Sequence, residues 1–198
     1  MFKPLIHLRR LGAASFAIVL LSSFYLAAPT AAWTPGAFSP DDEQLLFSLT
    51  NQDRADASLP ALAQDNYLHQ KAEWRAQDMG ERNYFSHQIP PGNKYVFSYM
   101  QADGYCFRVA GENLGLSTYG SDATTRIETS FMNSLDHKAN ILGHWTRLGV
   151  GAYQGAAGRK FWAVLFSLDC STAATPKFPL RPTAKPIPRP TAAPTTGG

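Results

Sequence analysis

The chain of 198 residues has only two cysteines, Cys106 and Cys170, and no Cys-x-x-Cys pair. That excludes a zinc ribbon and a thioredoxin-type redox site. Charge is nearly balanced, with 18 Lys and Arg against 15 Asp and Glu. A polybasic nucleic-acid binder and an acidic disordered chain are both excluded by that balance. The helical His-Glu-x-x-His pattern, the Gly-x-Ser-x-Gly nucleophile elbow, the phosphate-cradling glycine loop and the Gly-x-Gly-x-x-Gly dinucleotide fingerprint are absent. No Asn-x-Ser/Thr acceptor occurs. Acidic residues are missing from the first 32 and the last 28 positions. Residues 33–170 hold eleven basic and fifteen acidic groups, a balance of −4, so the basicity belongs to the two ends.

What is present at those ends has a simple reading. Lys3, Arg9 and Arg10 precede an apolar run from Leu11 to Ala28, and small residues Thr30-Ala31-Ala32 follow. Residues 1–32 are thus expected to be a secretory signal peptide, with no stable membrane span after cleavage. The alternative is a retained anchor, since an apolar run of about 18 residues sits at the lower limit for crossing a bilayer. Residues 172–198 are Pro, Thr and Ala with four basic residues, and seven prolines recur from Pro176 to Pro194. Such a segment is expected to be an extended, disordered tail, a tether or a basic arm toward an anionic envelope. Between them, residues 33–171 are expected to fold as one domain. An even cysteine count in an exported chain suggests a Cys106–Cys170 disulfide. A free nucleophilic thiol is the other possibility.

Ser39-Pro40-Asp41-Asp42-Glu43 reads as a helix start, with Ser39 placed to cap and acids at the positive helix end. Leu45, Leu46 and Leu49 continue that helix toward Leu59-Pro60. A second helix is expected from Asp65, with Leu68, Ala72, Arg75/Ala76 and Met79 on one stripe. A short third helix covers Tyr95–Ala102. Tyr105–Leu116 reads as a strand that its glycines break into a loop. A helix capped by Ser121-Asp122 follows, with Ala123, Ile127 and Phe131 facing inward and Glu128 in solvent. Ser134 is placed to cap one more short helix, Leu135–Leu142. Two strand-like runs, Leu148–Tyr153 and Phe161–Leu168, close the domain. Helices first and strands last point to an α+β class.

The residues able to do chemistry are scattered: His87 after an aromatic pair, Glu112 among glycines, Ser134 and His137. His69 and His144 are expected at the surface. Asn51 and Arg54 are expected to hydrogen-bond neighbouring loops. Trp74, Trp145 and Trp162 are expected in the core or at its rim.

Five segments, in order, resemble the CAP superfamily, the SCP-like or cysteine-rich secretory, antigen 5 and pathogenesis-related 1 proteins, in compact bacterial form. They are Leu49-Thr50-Asn51-Gln52-Asp53-Arg54 with Leu59-Pro60-Ala61-Leu62; Ala72 to Met79; Phe85-Ser86-His87; Gly111-Glu112-Asn113-Leu114; and Phe131 to Leu142 followed by Val150-Gly151. The resemblance covers residues 43–168. It implies a three-layer α-β-α sandwich with a central antiparallel sheet, and a cleft holding two histidines and two acids. Mapped by position, the cleft is His87, Glu112, Ser134 and His137, and Ser134 replaces the second acid. One carboxylate instead of two weakens an acid–base pair. His87 and His137 are the expected ligands of a weak, open zinc site, with a hydrogen-bonded polar cluster as the alternative. The expected function is a secreted, extracellular or cell-envelope binding module rather than an enzyme. Its partner would be a small apolar molecule, a peptide or an envelope component, and no nucleic acid. A metal-dependent hydrolase using His87, His137 and Glu112 is the second reading, and a purely structural envelope protein the third.

Overall fold

A computed structural model describes residues 33–170. The expected signal peptide, residues 1–32, and the expected tail, residues 172–198, lie outside the described residues. Three long strands form the centre: β3 (Phe107–Ser117), β4 (Arg147–Gln154) and β5 (Lys160–Asp169), all antiparallel. Two short strands that the sequence pattern does not announce are β1 (Ala37–Phe38) and β2 (Ala63–Gln64). β1 pairs antiparallel with one end of β4, and β2 pairs parallel with the other. The sheet order is β1-β4-β5-β3, so β3 is an edge.

Five helices cover both faces. They are α1 (Pro40–Asp56), α2 (Asn66–Glu81), α3 (Val96–Ala102), α4 (Ala123–Asn133) and α5 (Leu135–Ile141). Alternation along β5 sorts the core into two halves. Phe161, Ala163 and Leu165 pack with Leu68, Ala72, Ala76 and Met79 of α2 and with Val96 and Met100 of α3. Trp162, Val164 and Phe166 pack with Leu46 of α1, Ile127 and Phe131 of α4 and Ile141 of α5. The chain is an α-β-α sandwich. α2 lies directly on β4 because Gly149 and Gly151 carry no side chain there. A Cβ on Gly151 would sit 2.2 Å from the backbone of Ala72 and Glu73.

Cys106 and Cys170 are bonded, which pins the start of β3 to the end of β5. Four local expectations need correction. β3 runs unbroken through Gly111 and Gly115, because those glycines make room for Trp145, in the loop after α5, and for Ile127 of α4. Ser39 is at the cap position, but its hydroxyl donates to Asp42 instead of taking a helix N–H. Asp122 and Ser134 likewise precede α4 and α5 without a side-chain cap bond. Glu128 is buried, 4% exposed, because α1 packs over that side of α4. Asp65 does cap α2, accepting from the Leu68 N–H at 2.9 Å. Among the described residues, no helix is long and apolar enough to cross a membrane.

Candidate functional site

At the β3 edge His87 and Glu112 are hydrogen-bonded to each other, and His137 comes from the opposite helical layer. Glu112 faces the α2 side of the sheet, opposite Leu165. Its Oε1 accepts from Arg75 Nε at 3.0 Å, and its Oε2 accepts from His87 Nδ1 at 2.6 Å. A carboxylate only accepts, so Nδ1 carries the proton and the His87 Nε2 lone pair points elsewhere. Arg75 is fully buried. It also donates to Tyr84 Oη at 2.8 Å and to the Ser86 carbonyl, and the Tyr84 hydroxyl donates to Asp78. One guanidinium therefore ties α2, β3 and the loop that carries His87.

His137 arrives from the other layer, on α5. Its ring packs on Phe131, with centroids 4.8 Å apart. Asn113 Nδ2 donates to the His137 carbonyl at 3.1 Å. Asn140 Nδ2 donates to the Glu112 carbonyl and to Asn113 Oδ1, at 3.1 and 2.8 Å. Trp145 Nε1 in turn donates to the Asn140 carbonyl at 2.6 Å. Burial, with nearby His87 adding to it, pushes the His137 pKa down to about 4. The ring is neutral at neutral pH. Ser134 is half-buried between α4 and α5, and neighbouring Leu135 is 88% exposed.

His87 through Nε2 and the neutral His137 ring are the nitrogen donors that could hold a metal at this edge. Glu112 directs one oxygen to Arg75 and the other to His87. Among the described residues, the three ligand atoms that lie within 4.8 Å of one another belong to Glu43, His69 and Glu73 instead. His69 is half-buried rather than superficial, since its Nδ1 donates to the Val150 carbonyl at 2.7 Å. His144 is exposed, as expected. Asn51 exchanges two hydrogen bonds with the Leu62 backbone, and Arg54 donates to the carbonyls of Pro60, Ile141 and Gly143. Trp162 is in the core; Trp74 and Trp145 are half-buried at its rim. The residues the sequence reading passed over are Arg75, Tyr84, Asn113 and Asn140. Arg75 alone left a signal: a charged residue inside the apolar stripe of α2 must find an acid.

The pattern of the cysteine-rich secretory protein family (CAP) matches residues 47–166, well over half of the chain. The chain belongs to the CAP family. It is 34% identical over 110 residues to the uncharacterised protein YkwD of Bacillus subtilis, covering 55% of this chain and 41% of that protein. A solved SCP-domain extracellular protein from Bacillus anthracis is 32% identical, with a TM-score of 0.56 over 65% of this chain and 40% of that one. An outer surface protein of Borrelia burgdorferi shares the fold at 19% identity and a TM-score of 0.61, covering 68% of this chain and 98% of that one. The chain thus spans about two fifths of the length of the two Bacillus relatives. It is a CAP/SCP-domain protein of the extracellular type, and its disulfide suits an oxidising compartment.

Proposed function

We propose that this CAP domain is an extracellular binding module, and that the cleft at the β3 edge holds its ligand without turning it over. One observation carries this: both oxygens of Glu112 are spoken for, by Arg75 at 3.0 Å and His87 at 2.6 Å. A general base takes a proton from water, and each Glu112 oxygen already accepts an N–H from Arg75 or His87. Glu112 instead fixes the tautomer of His87, leaving Nε2 as an acceptor toward the cleft. Neutral His137 supplies a second acceptor, and the Ser134 hydroxyl lies one turn before it. Exposed Leu135 adds an apolar rim. An apolar molecule with a hydroxyl or amide group, a peptide, or an envelope component with such groups fits these donors and acceptors. A metal held weakly by the two imidazoles is compatible with the same cleft and is not needed for the binding role.

Native mass spectrometry of the purified protein should find a bound organic ligand, reduced in His87→Ala and in His137→Ala. Peptide turnover that stops with a chelator and with Glu112→Gln would overturn the binding reading in favour of hydrolysis.

A further inference from the structure

A second polar cluster lies at the opposite edge of the sheet, and it does not depend on the cleft. β1 and β2 pair only with the two ends of β4, Tyr153–Gln154 and Arg147–Leu148. The stretch between them turns backbone groups outward with no strand to receive them. Side chains do so instead. Glu43 Oε1, from α1, accepts from the Ala152 N–H at 2.9 Å. His69 Nδ1, from α2, donates to the Val150 carbonyl at 2.7 Å.

A carbonyl only accepts, so the proton of a neutral His69 ring is on Nδ1 and the lone pair is on Nε2. That nitrogen faces Glu73 Oε1 at 3.7 Å and Glu43 Oε2 at 4.0 Å. Neither separation is a hydrogen bond. Three electron-rich atoms point at one another across a gap. Glu43 is 5% exposed, and its Oε2 receives no hydrogen bond among the described residues. Burial, reinforced by the Glu73 charge, pushes its carboxyl up to about 7.

We propose that Glu43, His69 and Glu73 bind a divalent transition-metal ion of the zinc class. Ligands at zinc's usual ~2.0–2.2 Å stand about 3.4 Å apart in a tetrahedral shell. The two Nε2 contacts, at 3.7 and 4.0 Å, would close by roughly half an ångström, and the two carboxylate oxygens, which lie within 4.8 Å of each other, by up to about 1.4 Å. His69 and Glu73 are one turn apart on α2 and share a face. Glu43 is anchored across from them by the Ala152 N–H. The Nδ1–H bond from His69 to a backbone carbonyl is the arrangement that orients metal-bound imidazoles. A pocket of about 190 Å³, lined by Glu43, His69, Gln44, Gln64 and Phe47, leaves room for water in a fourth position. One nitrogen and two carboxylate oxygens suit Zn²⁺ or Mn²⁺ better than a soft thiophilic ion. The ion would clamp α1 to α2 over the open stretch of β4.

The test uses the full chain, stripped with chelator and titrated with Zn²⁺ alone by calorimetry near neutral pH. Glu43→Gln and His69→Ala should each weaken Zn²⁺ binding by at least about tenfold. The double variant His87→Ala with His137→Ala should leave this binding unchanged. Glu43→Gln retains an oxygen for the Ala152 N–H, so its fold should persist. In the unaltered protein, Zn²⁺ should shift the NMR signals of the His69 ring. Zn²⁺ affinity unchanged by both Glu43→Gln and His69→Ala, or ring shifts confined to His87 and His137, would overturn the proposal. The first result would mean that Glu43 and His69 hold no zinc. The second would place the metal in the cleft.

Discussion

Replacing Glu128 by Gln should stabilise the protein, and increasingly so as pH rises above about 4.5. Glu128 lies on the buried side of α4, and neither carboxyl oxygen has a hydrogen-bond partner. Asp53 and Thr50 of α1 lie beside it without a well-formed bond. Burial, with Asp53 adding to it, pushes its pKa from 4.5 up to about 8. The folded protein therefore holds a proton on Glu128 between those values, while the unfolded chain has released it. For a group raised on folding, stability is fully present below the unfolded value and is lost as pH rises through the folded one. At about 1.4 kcal/mol per unit, the loss reaches roughly 3 kcal/mol at pH 7 and approaches 5 kcal/mol above pH 8, as an upper bound. Gln has the same shape and never ionises. Urea unfolding at pH 4.5 and pH 8 should give nearly equal stabilities for the two proteins at the lower pH. At the higher pH, Glu128→Gln should be more stable by about 2–3 kcal/mol. Contributions from His137 and Glu43 cancel in the difference between variant and parent. A difference that is the same at both pH values would refute the buried, protonated Glu128.

Phe131, 2% exposed beneath His137, should cost about 3–5 kcal/mol when replaced by Ala, measured by chemical denaturation. A cost under about 1 kcal/mol would contradict its place in the core. Gly151→Ala puts a Cβ 2.2 Å from the α2 backbone. It should cost about 3 kcal/mol or more, since backbone cannot rotate away as a side chain can; thermal unfolding unchanged from the parent would contradict the α2–β4 contact. Free-thiol labelling of the folded protein should find none, because Cys106 and Cys170 are bonded. Reducing that bridge, which closes a sequence separation of 64 residues, should lower stability by about 4 kcal/mol by the loop-entropy argument.

The helices and the two final strands could be read from sequence because their apolar residues recur at the right period and their ends carry Pro, Asp or Gly. β3 could not, because its glycines signal a break when isolated and signal room for a neighbouring side chain only once Trp145 and Ile127 are in place. β1 and β2 are two-residue strands with no periodicity to detect. At the β3 edge, motif order pointed to His87, Glu112 and His137. Arg75, which engages Glu112, hid inside an apolar stripe. Glu128 was misplaced for a related reason: α4 is covered on two sides, by the sheet and by α1, and a single-face pattern anticipates one. His69 looked superficial because nothing local reveals that β4 has an open stretch beside it.

Both polar clusters follow from one structural problem. A sheet covered on its two faces still has edges, and an edge turns unpaired N–H and C=O groups outward. At β3 the Glu112 carbonyl is taken by Asn140 from the α5 layer, while the Glu112 side chain reaches Arg75 in the α2 layer. At β4 the Val150 carbonyl is taken by His69 from the α2 layer, and the Ala152 N–H by Glu43 from the α1 layer. In each case the helices from opposite faces meet past the last strand, and the side chains that close the edge are polar by necessity. At β4 those side chains are a histidine and an acid, and at β3 Asn140 and Arg75 close the edge beside Glu112 and its partner His87, so closing the edge also brings ligating and proton-holding atoms together. The cores on either side of the sheet are independent of that choice: Trp162 and Leu165 pack the same way whether position 134 carries Ser or Glu. Chemistry at the edges can therefore change from one CAP domain to another while the sandwich stays the same, and replacing Ser134 by Glu should alter the charge of the cleft without a measurable change in thermal unfolding temperature.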